Sequence, residues 1–198
     1  MKYGQKNTPL ADNIQYLIKW TVISVVIGLL VGIIGSVFGH GVILATRLWQ
    51  EHHWTVFLMP VAGIIIVWLY HIGHEDKNKG TDLILESVSS QETIPVVTAP
   101  LIFVSSILSH MVSASAGREG AALQLGGALG NLMGKIIRLD EKDRKVAIMC
   151  GMSACFSALF GTPLAGGVFS MEVVSIGTMY YAALIPCLFS SFIGSAVA

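Results

Sequence analysis

Long stretches without charge alternate with short polar and glycine-rich breaks along this chain. Trp20–Thr46, Val146–Met171 and Val173–Ala198 contain no Asp, Glu, Lys or Arg. Each is longer than the about 20 predominantly apolar residues that cross a bilayer as a helix. Leu17–Trp49 predicts one long or bent helix, in which Gly28 and Gly32 form a small-xxx-small pair that lets a neighbouring helix approach closely. Glu51–Trp54 reads as a polar turn with an interfacial aromatic. Val56–Tyr70 is a second apolar segment, closed by the anchors Trp68 and Tyr70.

His71–Lys79 is a charged loop, and Gly80-Thr81-Asp82 leads into a short helix beginning at Leu83–Ser87, with Thr81 or Asp82 as its cap. Pro95–Val112 is a third apolar element and contains Pro100. Glu119–Ile137 predicts a helix with a second small-xxx-small pair, Gly126 and Gly130. Arg138–Lys145 is a hydrophilic turn, and Val146–Phe160 a helix rich in Ala, Ser, Cys and Gly. Gly161-Thr162-Pro163 breaks that helix and places Pro163 in the first turn of the next, Leu164–Val174. Tyr180–Ala198 is a final span. Several elements are too short to cross alone, and several are interrupted by Gly or Pro. This is the pattern of transporters and channels with broken helices, and it predicts an all-α integral membrane fold.

Composition agrees. The chain is 54% hydrophobic and 12% charged, against about 25% charged in soluble domains, and its mean hydropathy is +0.71. A formal net charge of zero gives no electrostatic footprint for nucleic acid. Lys2, Lys6 and Lys19 at one end, and Lys135, Arg138, Lys142, Arg144 and Lys145 in the central turn, place both segments on the cytoplasmic side under the positive-inside rule. Residues 1–16 then form a cytoplasmic segment and 17–198 a multi-pass domain of the cell membrane. Cys150, Cys155 and Cys187 lack ligand spacing and read as packing residues. His52 and His53 read as a wet loop and His110 as a packing residue, so no metal or cofactor is expected. No nucleophile–base pair or P-loop points to an enzyme.

The chemistry concentrates in Gly117-Arg118-Glu119-Gly120, which sits between Ala99–Ala116, with His110 as its one ionisable group, and the uncharged Ala121–Met133. Charges at membrane depth cost about 2.5–3.5 kcal/mol or more, and they mark pathways or ion sites. Irregular backbone survives in a membrane only where it is buried in protein or lines a cavity. An ion pair between the adjacent Arg118 and Glu119 is geometrically poor on a helix, so a site is favoured over a structural pair.

Gly117–Gly120 followed by Gln124-Leu125-Gly126-Gly127, and Phe160-Gly161-Thr162-Pro163-Leu164-Ala165-Gly166 with Glu172 downstream, resemble two signatures of the CLC family of chloride channels and anion/proton exchangers. The resemblance runs from about Lys79 to Ala198 and covers the first of the family's two inverted repeats. It implies a bundle of tilted, broken and partial-span helices in which helix N-termini converge on an anion at the membrane midplane. On this resemblance Lys79, Gly80, Thr81, Gly117, Arg118, Gly120 and Ala121 belong to the anion site. Lys79 stands where the family carries a serine, Asp82 where it carries a proline, and Ala121 replaces the usual proline after the glutamate motif. Glu119 is the gate, its carboxylate occupying the anion's place until it is protonated or displaced.

The exchangers carry a second glutamate directly after the position of Glu172. Here that residue is Val173, which favours passive conduction of chloride or another small anion over proton-coupled chloride or fluoride exchange. The family's second repeat and its pore tyrosine are not found. The chain is therefore expected to be a piece of a longer channel, or else a half-subunit that conducts only with a partner half. A homodimer interface after Thr162 is a further implication of the resemblance.

Overall fold

The computed structural model describes residues 9–75, 80–90, 94–174 and 180–198. Helix α1 runs from Pro9 to Glu51, 43 residues without a break. It starts before Leu17, so residues 9–16 continue the helix expected from that point. Proline suits a first helical position because its absent N–H would have no partner there. At 1.5 Å per residue α1 is about 65 Å long, roughly twice the hydrocarbon core of a bilayer, so it either tilts steeply or extends beyond the bilayer.

A 3₁₀ turn at His53–Leu58 leads to α2, Met59–Ile72. The second helix thus starts later than Val56, with Pro60 in its first turn. Helix α3 is Thr81–Ser90. Neither Thr81 nor Asp82 caps it. Gly80 precedes it at φ +64°, a left-handed conformation open to glycine, and its carbonyl accepts from Leu83 N at 3.2 Å. Helix α4, Thr98–Met111, carries Pro100 in its first turn, where no intrahelical hydrogen bond is lost. Helix α5 is Arg118–Ile136 and α6 is Glu141–Phe160. Glu141–Lys145, expected in a loop, form the first turn of α6. The Asp140 side chain caps that turn by accepting from Asp143 N at 2.8 Å, and Glu141 and Asp143 complement the helix dipole. Helix α7, Pro163–Glu172, and α8, Leu184–Ala196, complete the fold.

Helix α6 is the centre, buried without interruption from Val146 to Cys155 and packed by α1, α5, α7 and α8. Small residues allow this. A Cβ on Gly126 would collide with the Gly151 carbonyl of α6, and one on Gly130 with that of Ala147. Gly32 of α1 leaves 2.7 Å between its imagined Cβ and Gly194 Cα of α8. Both small-xxx-small pairs expected from the sequence therefore sit at helix crossings. Contacts advance together along α1, α6 and α8, which run parallel, while α5 runs against α6.

Serines tie α6 to α8 across the core. Ser153 Oγ donates to Cys187 O at 2.7 Å, and Ser190 Oγ donates to Cys150 O at 2.9 Å. Ser191 Oγ donates to Pro163 O at 2.6 Å, which leaves Ser157 to donate to Ser191 at 2.7 Å. In an apolar setting such bonds satisfy the polar atoms that close helix packing brings inside.

The outer faces are apolar. In α2 only Ala62 is buried, while Val61, Ile64, Val67 and Trp68 are exposed. Ile14–Glu51 and His53–Ile72 are long and apolar enough to cross a bilayer. Lys19 of α1 and Asp143 of α6 form an ion pair. It puts the start of α1 and the basic α5–α6 turn at one end of the bundle, as the charge pattern of the two segments requires.

Candidate functional site

Helix α5 begins at Arg118, one residue before the expected start, with the extended Gly117 (φ −77°, ψ 143°) as its cap residue and no side chain capping it. The N–H groups of Gly117, Arg118, Glu119 and Gly120 therefore have no intrahelical acceptor, while the Gly117 carbonyl stands at the place where the Ala121 N–H makes the first helical bond. They form the positive end of a helix dipole worth roughly half a charge. Gly117, Arg118 and Glu119 are exposed, Gly120 is half-buried and Ala121 is buried. Among the described residues Arg118 and Glu119 form no ion pair with each other. The Glu119 carboxylate turns back over its own helix start: Oε2 is 3.2 Å from the point that a Cβ on Gly117 would occupy.

The second N-terminus, that of α3, meets the first. Thr81 Oγ1 lies 3.1 Å from the position of a Cβ on Gly120 and accepts a hydrogen bond from Gln124 Nε2 at 2.9 Å. The structure thus brings Gly80 and Thr81 beside Gly120, and sets Gly117, Arg118 and Ala121 on the same turn. Lys79 lies outside the described residues.

Gln124 belongs to a set that the sequence reading did not assign to the site. Gly120, Gln124, Gly127, Asn131 and Lys135 recur at helical spacing on one face of α5. A Cβ on Gly127 would meet Ile84 of α3. Asn131 Nδ2 and Lys135 Nζ both donate to the carbonyl of Ile94, beyond the end of α3, at 3.1 and 3.2 Å. This face of α5 therefore seats the start of α3 and holds Ile94 beyond it. The spacing of polar and glycine residues was a visible signal, but it names no partner until α3 is in place.

Glu172 ends α7, and Val173 packs against the core. Helix α7 returns along α6, with the Phe169 ring tilted at 45° against that of Phe156, centroids 5.1 Å apart. Val173 therefore lies toward the Lys19–Asp143 end of the bundle, and Glu119 toward the opposite end of α6.

Residues 62–198 match the family model described as voltage gated chloride channel. The chain belongs to the CLC family. It is 36% identical over 187 residues to a chloride/fluoride channel protein of Pseudomonas syringae pv. tomato, covering 94% of this chain and 41% of that protein. It is 26% identical to the H(+)/Cl(-) exchange transporter ClcA of Citrobacter koseri, covering 87% of this chain and 40% of that one. Its fold superposes on the crystal structure of a CLC-type fluoride/proton antiporter with a TM-score of 0.86 and 32% identity, covering 97% of this chain and 48% of that chain. A slow cyanobacterial Cl-/H+ antiporter shares the fold at a TM-score of 0.68. The chain spans less than half the length of these CLC relatives, a share that fits one of two inverted repeats. The expected all-α CLC architecture is the observed one.

Proposed function

We propose that this chain supplies one side of a path for chloride or another small anion across the cell membrane, gated by the Glu119 carboxylate. The observation that carries the reading is the meeting of the α3 and α5 N-termini at Thr81, Gly120 and Gln124, with Glu119 exposed on the same turn. The N–H groups at the start of α5, together with the positive dipole ends of both helices, favour an anion without a bare full charge in the membrane. In this reading Gly80, Thr81, Gly117, Gly120 and Ala121 form the anion's surroundings. Arg118 and Lys79 raise its local concentration. The Glu119 carboxylate, itself an anion, competes for the same N–H groups. Once protonated it is neutral and withdraws, so flux rises as pH falls. A second repeat completes the path, and α7 and α8 contribute to a homodimer.

Passive conduction is the preferred mode because Val173, a side chain that carries no proton, follows Glu172. The chloride/fluoride channel protein of P. syringae is similar over most of this chain. A second reading, proton-coupled exchange of chloride or fluoride, draws on the likeness to the fluoride/proton antiporter. Anion flux from liposomes recorded with a proton electrode separates the two: uphill proton movement driven by an anion gradient overturns passive conduction. Glu119→Gln tests the gate itself. An amide does not titrate, so this variant is expected to pass anions at a rate independent of pH. A retained pH response removes Glu119 from the role.

A further inference from the structure

We propose that Gln124 is a positioning residue for the anion, acting through the Thr81 hydroxyl; the inference rests on the anion-transport reading above. A threonine oxygen can accept and donate at once. Gln124 Nε2 occupies its acceptor side at 2.9 Å, so the hydroxyl proton is left for another acceptor. Gly120 allows this arrangement. With no side chain there, Thr81 Oγ1 settles against the first turn of α5, 3.1 Å from where a Cβ would stand, one residue from Glu119. The hydroxyl donor of α3 and the free N–H groups of α5 then address the same place.

The choice of an amide fits the task. A lysine or arginine at this position would orient Thr81 equally well, but its charge would hold the Glu119 carboxylate and oppose its release. Gln124 orients the hydroxyl without net charge. The same face of α5 supports its surroundings elsewhere too: Gly127 receives Ile84 of α3, and Asn131 and Lys135 hold the Ile94 carbonyl beyond the helix. Gln124 therefore sets a hydroxyl on a helix that α5 also receives at Ile84.

The test is a double-mutant cycle on the full protein in liposomes, with chloride and fluoride as probes and the half-saturating anion concentration as readout. Thr81→Val removes the donor, and the half-saturating concentration is expected to rise roughly tenfold, the scale of one hydrogen bond to a charged group. Thr81→Ser keeps the donor and is expected to behave as the wild type. Gln124→Leu lets the hydroxyl rotate, raising the value about threefold. The double variant is expected to be no worse than Thr81→Val alone.

Additive effects, a wild-type concentration dependence in Gln124→Leu, or failure of Thr81→Ser to rescue would overturn the role of Gln124. If Gln124→Leu does not elute as a single species, Gln124→Glu replaces it. Its carboxylate would draw the Thr81 proton to itself and is expected to weaken anion binding as Thr81→Val does; unchanged binding counts against the proposal. A wild-type protein that passes neither anion overturns the transport reading and this inference together. Wild-type flux with additive variants overturns only the inference.

Discussion

The Glu119 carboxylate oxygen Oε2 lies 3.2 Å from the point that a Cβ on Gly117 would occupy. The backbone of Gly117 does not explain the glycine. Its φ of −77° and ψ of 143° are extended values that any residue adopts. What the glycine provides is room for the carboxylate over the start of α5.

Gly117→Ala therefore separates folding from gating. Position 117 is exposed but caps α5, where alanine is a poorer residue than glycine, so a loss of about 0.5–1 kcal/mol is expected. The added methyl makes the carboxylate oxygen give by a few tenths of an ångström, which weakens its resting place, so anion flux at neutral pH is expected to rise modestly toward the value seen at acid pH. Flux from liposomes at the two pH values checks this, with a thermal melt in detergent as the folding control. An unchanged ratio would show that the carboxylate does not rest over Gly117 when the path is closed.

A different glycine tests the packing. A Cβ on Gly130 of α5 would strike the Ala147 carbonyl, which belongs to the backbone of the central helix and has no rotamer to change. Gly130→Ala is expected to destabilise by about 1–3 kcal/mol through overpacking. Gly63, in the exposed α2, has nothing within 4 Å of its Cβ position. Gly63→Ala is expected to be neutral or to stabilise by up to about 1 kcal/mol, since alanine is the better helix former. Paired melts in one detergent decide it; equal effects at both sites would mean that the crossing yields to a methyl group.

The same contrast shows what the sequence could and could not reveal. Gly28, Gly32, Gly126 and Gly130 were legible as helix crossings because their spacing of four is a property of one helix. The broken helices and the Gly117–Gly120 motif were legible because Gly, Pro and intramembrane charge are local signals. The start of α6 was not. Glu141–Lys145 look like a loop by polarity, and only the Asp140 cap, with the complement of Glu141 and Asp143 to the dipole, shows a helix start. The start of α3 at Thr81 depended on the left-handed turn of Gly80. The partner of Gln124 could not be read at all, since Thr81 is 43 positions away in sequence and no local pattern pairs an amide with a distant hydroxyl.

Three helices end on non-glycine residues in the left-handed region, His74 at φ 56°, Ser113 at φ 61° and Arg138 at φ 60°. For all three the ladder is the same: His74 N donates to His71 O and Glu75 N to Tyr70 O at the end of α2. Ser113 N donates to His110 O and Ala114 N to Ser109 O at the end of α4; Arg138 N donates to Lys135 O and Leu139 N to Gly134 O at the end of α5. These paired bonds satisfy the last carbonyls in the arrangement where glycine is the usual residue. An L-residue in that conformation costs roughly 1–2 kcal/mol, offset by about 0.5–1 kcal/mol from the greater freedom glycine loses on folding. Ser113→Gly and Arg138→Gly are each expected to stabilise by roughly 0.5–1 kcal/mol, read as a raised melting temperature in detergent. Their functional outcomes should differ. Arg138 sits at the end of the bundle away from Glu119, and its variant is expected to leave anion flux unchanged. Ser113 starts the short segment that leads to Gly117 and into the first turn of α5, where Glu119 sits. A more permissive residue there loosens the gate's attachment, so Ser113→Gly is expected to stabilise the fold while broadening the pH response of flux. A sharp, wild-type pH response in both variants would show that the gate is held by α5 alone.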